Sequence, residues 1–159
     1  MPLRRGVRAN DQTFTSIRSY FAWDHRRLED SLAEVARLVE AGNLERALRA
    51  FAHYDRGMRR HMRVEEEVLL ELYAHERTGA ARSPSAKMQP EHAQIGKFIE
   101  EIGHILGIGD APAFTAKYGE LAALVSRHDS QEETDLYPYF DALVGPAEAE
   151  RIVNRLRSE

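Results

Sequence analysis

The amino-acid sequence predicts an all-α fold: an antiparallel up-down-up-down four-helix bundle with a short C-terminal helix. Three observations predict it. Apolar residues recur at three- and four-residue steps through four long stretches, the pattern of helices with one buried face. Short segments containing glycine or proline join these stretches, and short connections make neighbouring helices antiparallel. No stretch alternates apolar and polar residues as a half-buried strand would.

Residues 1–12 are polar and unpatterned, the composition of a flexible tail, and 13–159 form the expected bundle. The first helix is expected to start at a Thr15 or Ser16 cap. Phe14, Ile17, Phe21, His25, Leu28, Leu32, Val35 and Val39 lie along its inner seam. Gly42-Asn43 ends it. The second helix runs from about Leu44 to about Arg77, with Ala47, Phe51, Tyr54, Met58, His61, Glu65, Val68 and Leu72 facing inward. A central loop, Thr78–Ser85, follows.

Ser83 and Pro84 suit the cap and first turn of a third helix, seamed by Met88, His92, Ile95, Ile99, Ile102 and Leu106. Pro90 requires either an early kink or a start one turn later. After a turn at Gly107–Pro112, the fourth helix carries Phe114, Leu121, Leu124, His128 and Glu132 on one face. Pro138 is expected to weaken or end it. Gly145-Pro146 opens the C-terminal helix, whose Ile152, Val153 and Leu156 would cover one end of the bundle.

Composition narrows the function. A chain of 159 residues, 43% of them hydrophobic, is large enough for one domain with its own core. A net charge of −4 and a pI near 6.0 offer no basic surface for nucleic acid. The pairs Arg4-Arg5, Arg26-Arg27 and Arg59-Arg60 read as solvated positions. With no cysteine, disulfides, thiol catalysis and Cys-ligated zinc or iron–sulfur sites are excluded. Any metal must be held by nitrogen and oxygen, which suits iron, manganese or zinc. No apolar run reaches membrane-spanning length, and the first eleven residues lack the apolar core of a signal peptide, so the expectation is a cytoplasmic protein with no membrane partner.

The polar residues on the inner seams obey one rule. His25 and His92, His61 and His128, and Glu65 and Glu132 are each separated by 67 positions. The chain therefore reads as one helical hairpin and its copy. Both copies contain H-x-x-x-E-E-x-x-L, starting at His61 and at His128, and residues four apart on a helix share a face. Two such halves meeting about a pseudo-twofold axis would bring His25, His61, Glu65, His92, His128 and Glu132 to one level of the core. Burying that many ionisable groups without partners would cost several kcal/mol. Four imidazoles and two carboxylates instead make a dinuclear metal site, as in carboxylate-bridged helical bundles. In it Glu65 and Glu132 bridge, His25 and His61 hold one metal, and His92 and His128 hold the other.

The spacing alone is weak evidence, since a single His-x-x-x-Glu is usually a surface ion pair. His25 and Glu29 share it, but Glu29 matches Gly96 in the repeat and is left out. His53, His75 and His104 have no matching histidine and read as surface or otherwise satisfied residues. Glu66 and Glu133 repeat but point about 100° away from the bridging pair, either toward solvent or onto the ligand imidazoles.

These residues resemble a known family. Tyr20-Phe21-Ala22-Trp23-Asp24-His25-Arg26-Arg27-Leu28, the two His-x-x-x-Glu-Glu stretches, Glu91-His92-Ala93-Gln94-Ile95 and Leu136-Tyr137-Pro138 are similar to the hemerythrin-like (HHE cation-binding) domain, over roughly Thr15 to Asp141. The resemblance implies a non-haem di-iron centre, with two iron ions, manganese or zinc being possible replacements, and ligand roles for the same six residues. It implies a small diatomic or peroxide ligand: dioxygen, hydrogen peroxide or nitric oxide. Gly96 stands where oxygen-carrying hemerythrins have a further histidine. That departure favours sensing or scavenging of an oxidant over oxygen carriage, and leaves a position that water, Glu29 or Glu91 could fill. The alternatives are a metal-stapled structural or regulatory module and an iron-handling or iron–sulfur repair protein. No Ser/His/Asp spacing, phosphate loop or nucleotide fingerprint supports another class of enzyme.

Overall fold

The computed structural model describes residues 13–73 and 84–158. Among them there is no strand. Helix α1 (Ile17–Glu40) is capped by Ser16: its hydroxyl accepts the Ser19 N–H at 3.0 Å, and Ser19 Oγ accepts the Ser16 N–H at 3.2 Å. The first two amides of α1, at Ile17 and Arg18, donate to the Asp141 carboxylate at 2.8 and 3.1 Å. A distant side chain therefore serves donors that every helix start leaves open. Gly42, at φ +74°, makes the left-handed turn into α2 (Leu44–Tyr73). The expected second-helix end near Arg77, most of the central loop and His75 lie outside the described residues.

Pro84–Lys87 form a 3₁₀ turn and α3 begins only at Met88, running to Gly107. Of the two outcomes that Pro90 required, the later start holds, which leaves Pro90 in the first turn where a missing N–H is harmless. Ser83 lies outside the described residues. Helix α4 (Ala111–Gln131) starts at Asp110, whose carboxylate accepts the Ala113 N–H at 3.0 Å.

The fourth helix does not end or fray at Pro138. It passes through a π-helical turn, Glu132–Leu136, and continues as α5 (Tyr137–Val144). The wide turn is closed by the Tyr137 N–H donating to the Glu132 carbonyl five residues back. Pro138 then falls in the opening turn of α5, where its lack of an N–H is tolerated. Gly145, at φ +83°, leads into α6 (Pro146–Ser158).

Each long helix packs on the next, and α4 closes on α1, giving the four-helix bundle. Helix α6 covers the end formed by α1 and α5 with Ala149, Ile152, Val153 and Leu156. The apolar core has two parts. One contains Leu32, Val35, Phe51, Ile99, Ile102 and Phe114. The other contains Ile17, Phe21, Val68, Met88, Phe140 and Val153. On α1, α3 and α4 the buried polar residues fall between these two parts, and on α2 His61 and Glu65 flank Met62 and Val64, where the parts meet.

Candidate metal centre

That polar level is made of His25 on α1, His61 and Glu65 on α2, His92 on α3, His128 on α4, and Glu132 in the π turn. None is more than 4% exposed, so their chemistry is set by each other rather than by water. The structure brings all six sequence-predicted residues together. His25 and His61 lie side by side, with ring centroids 4.9 Å apart, and His92 and His128 form the matching pair at 5.1 Å.

The carboxylates lie between the pairs. Glu132 is 2.7 Å from His128 Nε2, 3.2 Å from His25 Nε2 and 3.7 Å from His92 Nε2. Glu65 Oε2 is 3.2 Å from His92 Nε2 and 3.5 Å from His61 Nε2. Two groups of donor atoms are close enough to enclose a cation: Glu65, His92, His128 and Glu132, and His25, His61 and Glu132. Glu132 belongs to both.

Every imidazole is held from behind by a carboxylate on Nδ1. His25 pairs with Glu133 at 2.8 Å, His61 with Asp24 at 2.9 Å, His92 with Glu66 at 2.7 Å and His128 with Glu91 at 2.6 Å. An Nδ1–H donated to a carboxylate leaves Nε2, aimed inward, as the free donor atom, and this is how metal-binding histidines are oriented. Glu66 and Glu133 thus take the second of their two expected places. Asp24 and Glu91 were not expected in this role, although they too are 67 positions apart. Arg27 Nε donates to Asp24 at 2.7 Å and fixes its carboxylate.

The charges are strongly coupled. Burial alone would lower the three imidazoles that shift. Hydrogen bonds to Glu132, joined by neighbouring acid charges, outweigh it and raise His25 to about 9, His92 to about 10 and His128 to about 9. Burial opposes ionisation of Glu132, but hydrogen bonds from His128, His25 and His92 hold it well below the usual carboxylate range. Burial and the adjacent Glu132 charge push Glu65 up. Asp24 is lowered to about 2 despite its burial, through His61 and Arg27.

The donor set fits a metal ion. Glu65 Oε2, His92 Nε2, His128 Nε2 and Glu132 Oε1 are buried facing only one another, and none makes a well-aligned hydrogen bond. Each such atom costs about 1–3 kcal/mol. All four belong to one of the two cation-sized groups, so a single cation would satisfy them together.

Two residues near the site have no counterpart in the repeat. Asp129, whose matching position is Met62, places Oδ1 3.5 Å from His25 Nε2 and is raised by burial to about 6. Tyr137, matching Leu70, reaches the centre from below Glu132. Neither carboxylate named as able to fill the position left by Gly96 does so. Glu29 is exposed, Glu91 is engaged with His128, and a Cβ at Gly96 would meet nothing within 4 Å. His53 and His104 are exposed, away from the cluster.

A family model, the hemerythrin HHE cation binding domain, matches residues 17–140. No curated protein and no solved structure matches the chain.

Proposed function

The chain belongs to the hemerythrin HHE cation-binding domain family, and from that premise we propose a non-haem di-iron protein that binds or reacts with a small oxidant. The observation that carries the reading is the set of four buried donor atoms that converge without a well-aligned hydrogen bond, among carboxylate-backed imidazoles. His25 and His61 would hold one iron, His92 and His128 the other, with Glu65 and Glu132 between them. Bound iron supplies Lewis acidity and electrons to dioxygen, hydrogen peroxide or nitric oxide.

The chain's own contribution is binding, orientation and exclusion of water. Glu133, Asp24, Glu66 and Glu91 fix the orientation of each ring through its Nδ1. Apolar layers on both sides keep bulk water from the donors. With open space at Gly96 instead of a further histidine, the centre suits sensing or scavenging of peroxide or nitric oxide better than oxygen carriage.

The direct test combines iron analysis with stopped-flow absorbance of the reduced, anaerobic protein mixed with each oxidant. Two iron per chain and an absorbance change with at least one oxidant are expected. Iron-loaded protein inert to all three would leave only a metal-stapled structural role, in which zinc would serve as well.

The imidazole-backing carboxylates give a milder prediction. Glu66→Gln keeps the shape at a half-exposed position but loses the anionic acceptor on His92. Metal affinity is expected to fall about 10- to 100-fold, with folding retained. Competition against a chromophoric chelator, beside circular dichroism, checks it; unchanged affinity would remove Glu66 from the site.

A further inference from the structure

The two halves of the centre are unequal, and Tyr137 makes them so. The His92/His128 half has four inward donor atoms, while the His25/His61 group shares Glu132 as its third member. Into that second half projects the hydroxyl of Tyr137, a residue with no exposed surface. Its oxygen is 2.8 Å from Glu132 Oε2, 2.9 Å from Glu65 Oε1 and 3.1 Å from His25 Nε2. A phenol has one proton, so it cannot donate to both carboxylates at once. The distances have another meaning. Neighbouring ligands on one octahedral cation, with bonds of about 2.1 Å, lie about 3.0 Å apart.

The backbone is built to deliver this oxygen. Five α-helical steps would carry position 137 about 140° round the axis from Glu132. The π turn instead brings Tyr137 under Glu132, on the same face. At the corresponding place in the first hairpin, α2 continues as regular α-helix and position 70 is leucine. The ring is held by stacking on Phe21, with centroids 5.0 Å apart and planes 16° from parallel.

Resting on the metal reading above, we propose that Tyr137 is itself a metal ligand, its phenolate oxygen completing the His25/His61 half of the centre. On binding, the O–H bond breaks and the oxygen keeps the electron pair that it gives the cation. The proton leaves to solvent with those the cation displaces from the imidazoles. No oxidation of the ring is involved. The result is an asymmetric pair of metals, one with a phenolate and one without.

The test uses the full chain loaded with iron and oxidised in air to the ferric state. Iron per chain, visible absorption and resonance Raman are read on the same samples. Expected is a visible phenolate-to-iron charge-transfer band that enhances tyrosine ring modes. Tyr137→Phe, which keeps the ring stacked on Phe21, should abolish the band at unchanged iron content. Tyr54→Phe, a change at another buried tyrosine, should retain it. Iron-loaded wild-type protein without tyrosine modes would overturn the proposal, and that spectrum needs no variant to fold. Modes that persist in Tyr137→Phe would overturn it equally. A chain that takes up no iron would instead sink the metal reading beneath it.

Discussion

Glu132→Ala is expected to empty both halves of the centre, taking iron from about two equivalents per chain to near none. Glu132 is the member common to the two donor groups, and its carboxylate faces His128, His25 and His92. Alanine would leave the His25/His61 group with no carboxylate and the other with Glu65 alone to offset the charge of a bound cation. Glu65 belongs to only one of these groups, so Glu65→Ala is the weaker change and should retain up to one equivalent. The damage extends to the metal-free protein. Three imidazoles held in the charged form by Glu132 would lose their shared partner inside the core. Removing one member of a buried ion pair costs about 3–5 kcal/mol. For a domain of this size that lowers the melting temperature by roughly 10 °C. Elemental analysis and thermal melts of the purified variant check both parts. Two retained equivalents of iron would remove Glu132 from the centre.

The second large effect is a reversal of pH dependence on metal removal. In the metal-free protein His25, His92 and His128 are raised to about 9, 10 and 9 from 6.5. A group whose folded pKa is raised stabilises the fold fully below its unfolded pKa and loses that contribution as pH rises through the folded value. The three imidazoles therefore stabilise the protein below about pH 6.5 and cease to do so by about pH 10. Asp24, lowered to about 2 from 3.8, works at the other end: its contribution is present above 3.8 and lost as pH falls through 2. Asp129, raised to about 6, opposes folding once pH passes its usual range, adding to the decline from pH 4 to 6. Chelated protein is thus expected to lose a few kcal/mol between about pH 6 and about pH 9.5. Metal-loaded protein should gain over the same interval, because each ligand must shed a proton before it can bind. Melts at the two pH values, with and without chelator, decide the matter. Metal-free protein that grows more stable toward pH 9.5 would contradict the assigned charges.

Helix positions and the composition of the site were legible because both depend on spacing. A seam at three- and four-residue steps needs only helical geometry, so most inward residues of α1 to α4 could be read before their neighbours were known. Tyr20, Met62, Val64, Leu69 and Val125 are buried beside those seams. The 67-residue repeat extended this across the chain, pairing His25 with His92 and Glu65 with Glu132. The same rule would have found Asp24 and Glu91. They were passed over because they lie beside the seam, where carboxylates are commonly solvated, and only packing turns them onto His61 and His128.

The sequence by itself determined the bundle, its two matching hairpins and the six residues gathered at one level. Helical periodicity and a fixed repeat are carried by the order of residues alone. The tertiary structure decided how far the symmetry holds. It kept the fourth helix going past Pro138 through a π turn, a backbone choice that residue spacing does not encode. That turn swung Tyr137 under Glu132, while Asp129 came to face His25 opposite a position filled by Met62 in the first copy. These are contacts between residues as many as 112 positions apart, and only the packed chain brings them within reach.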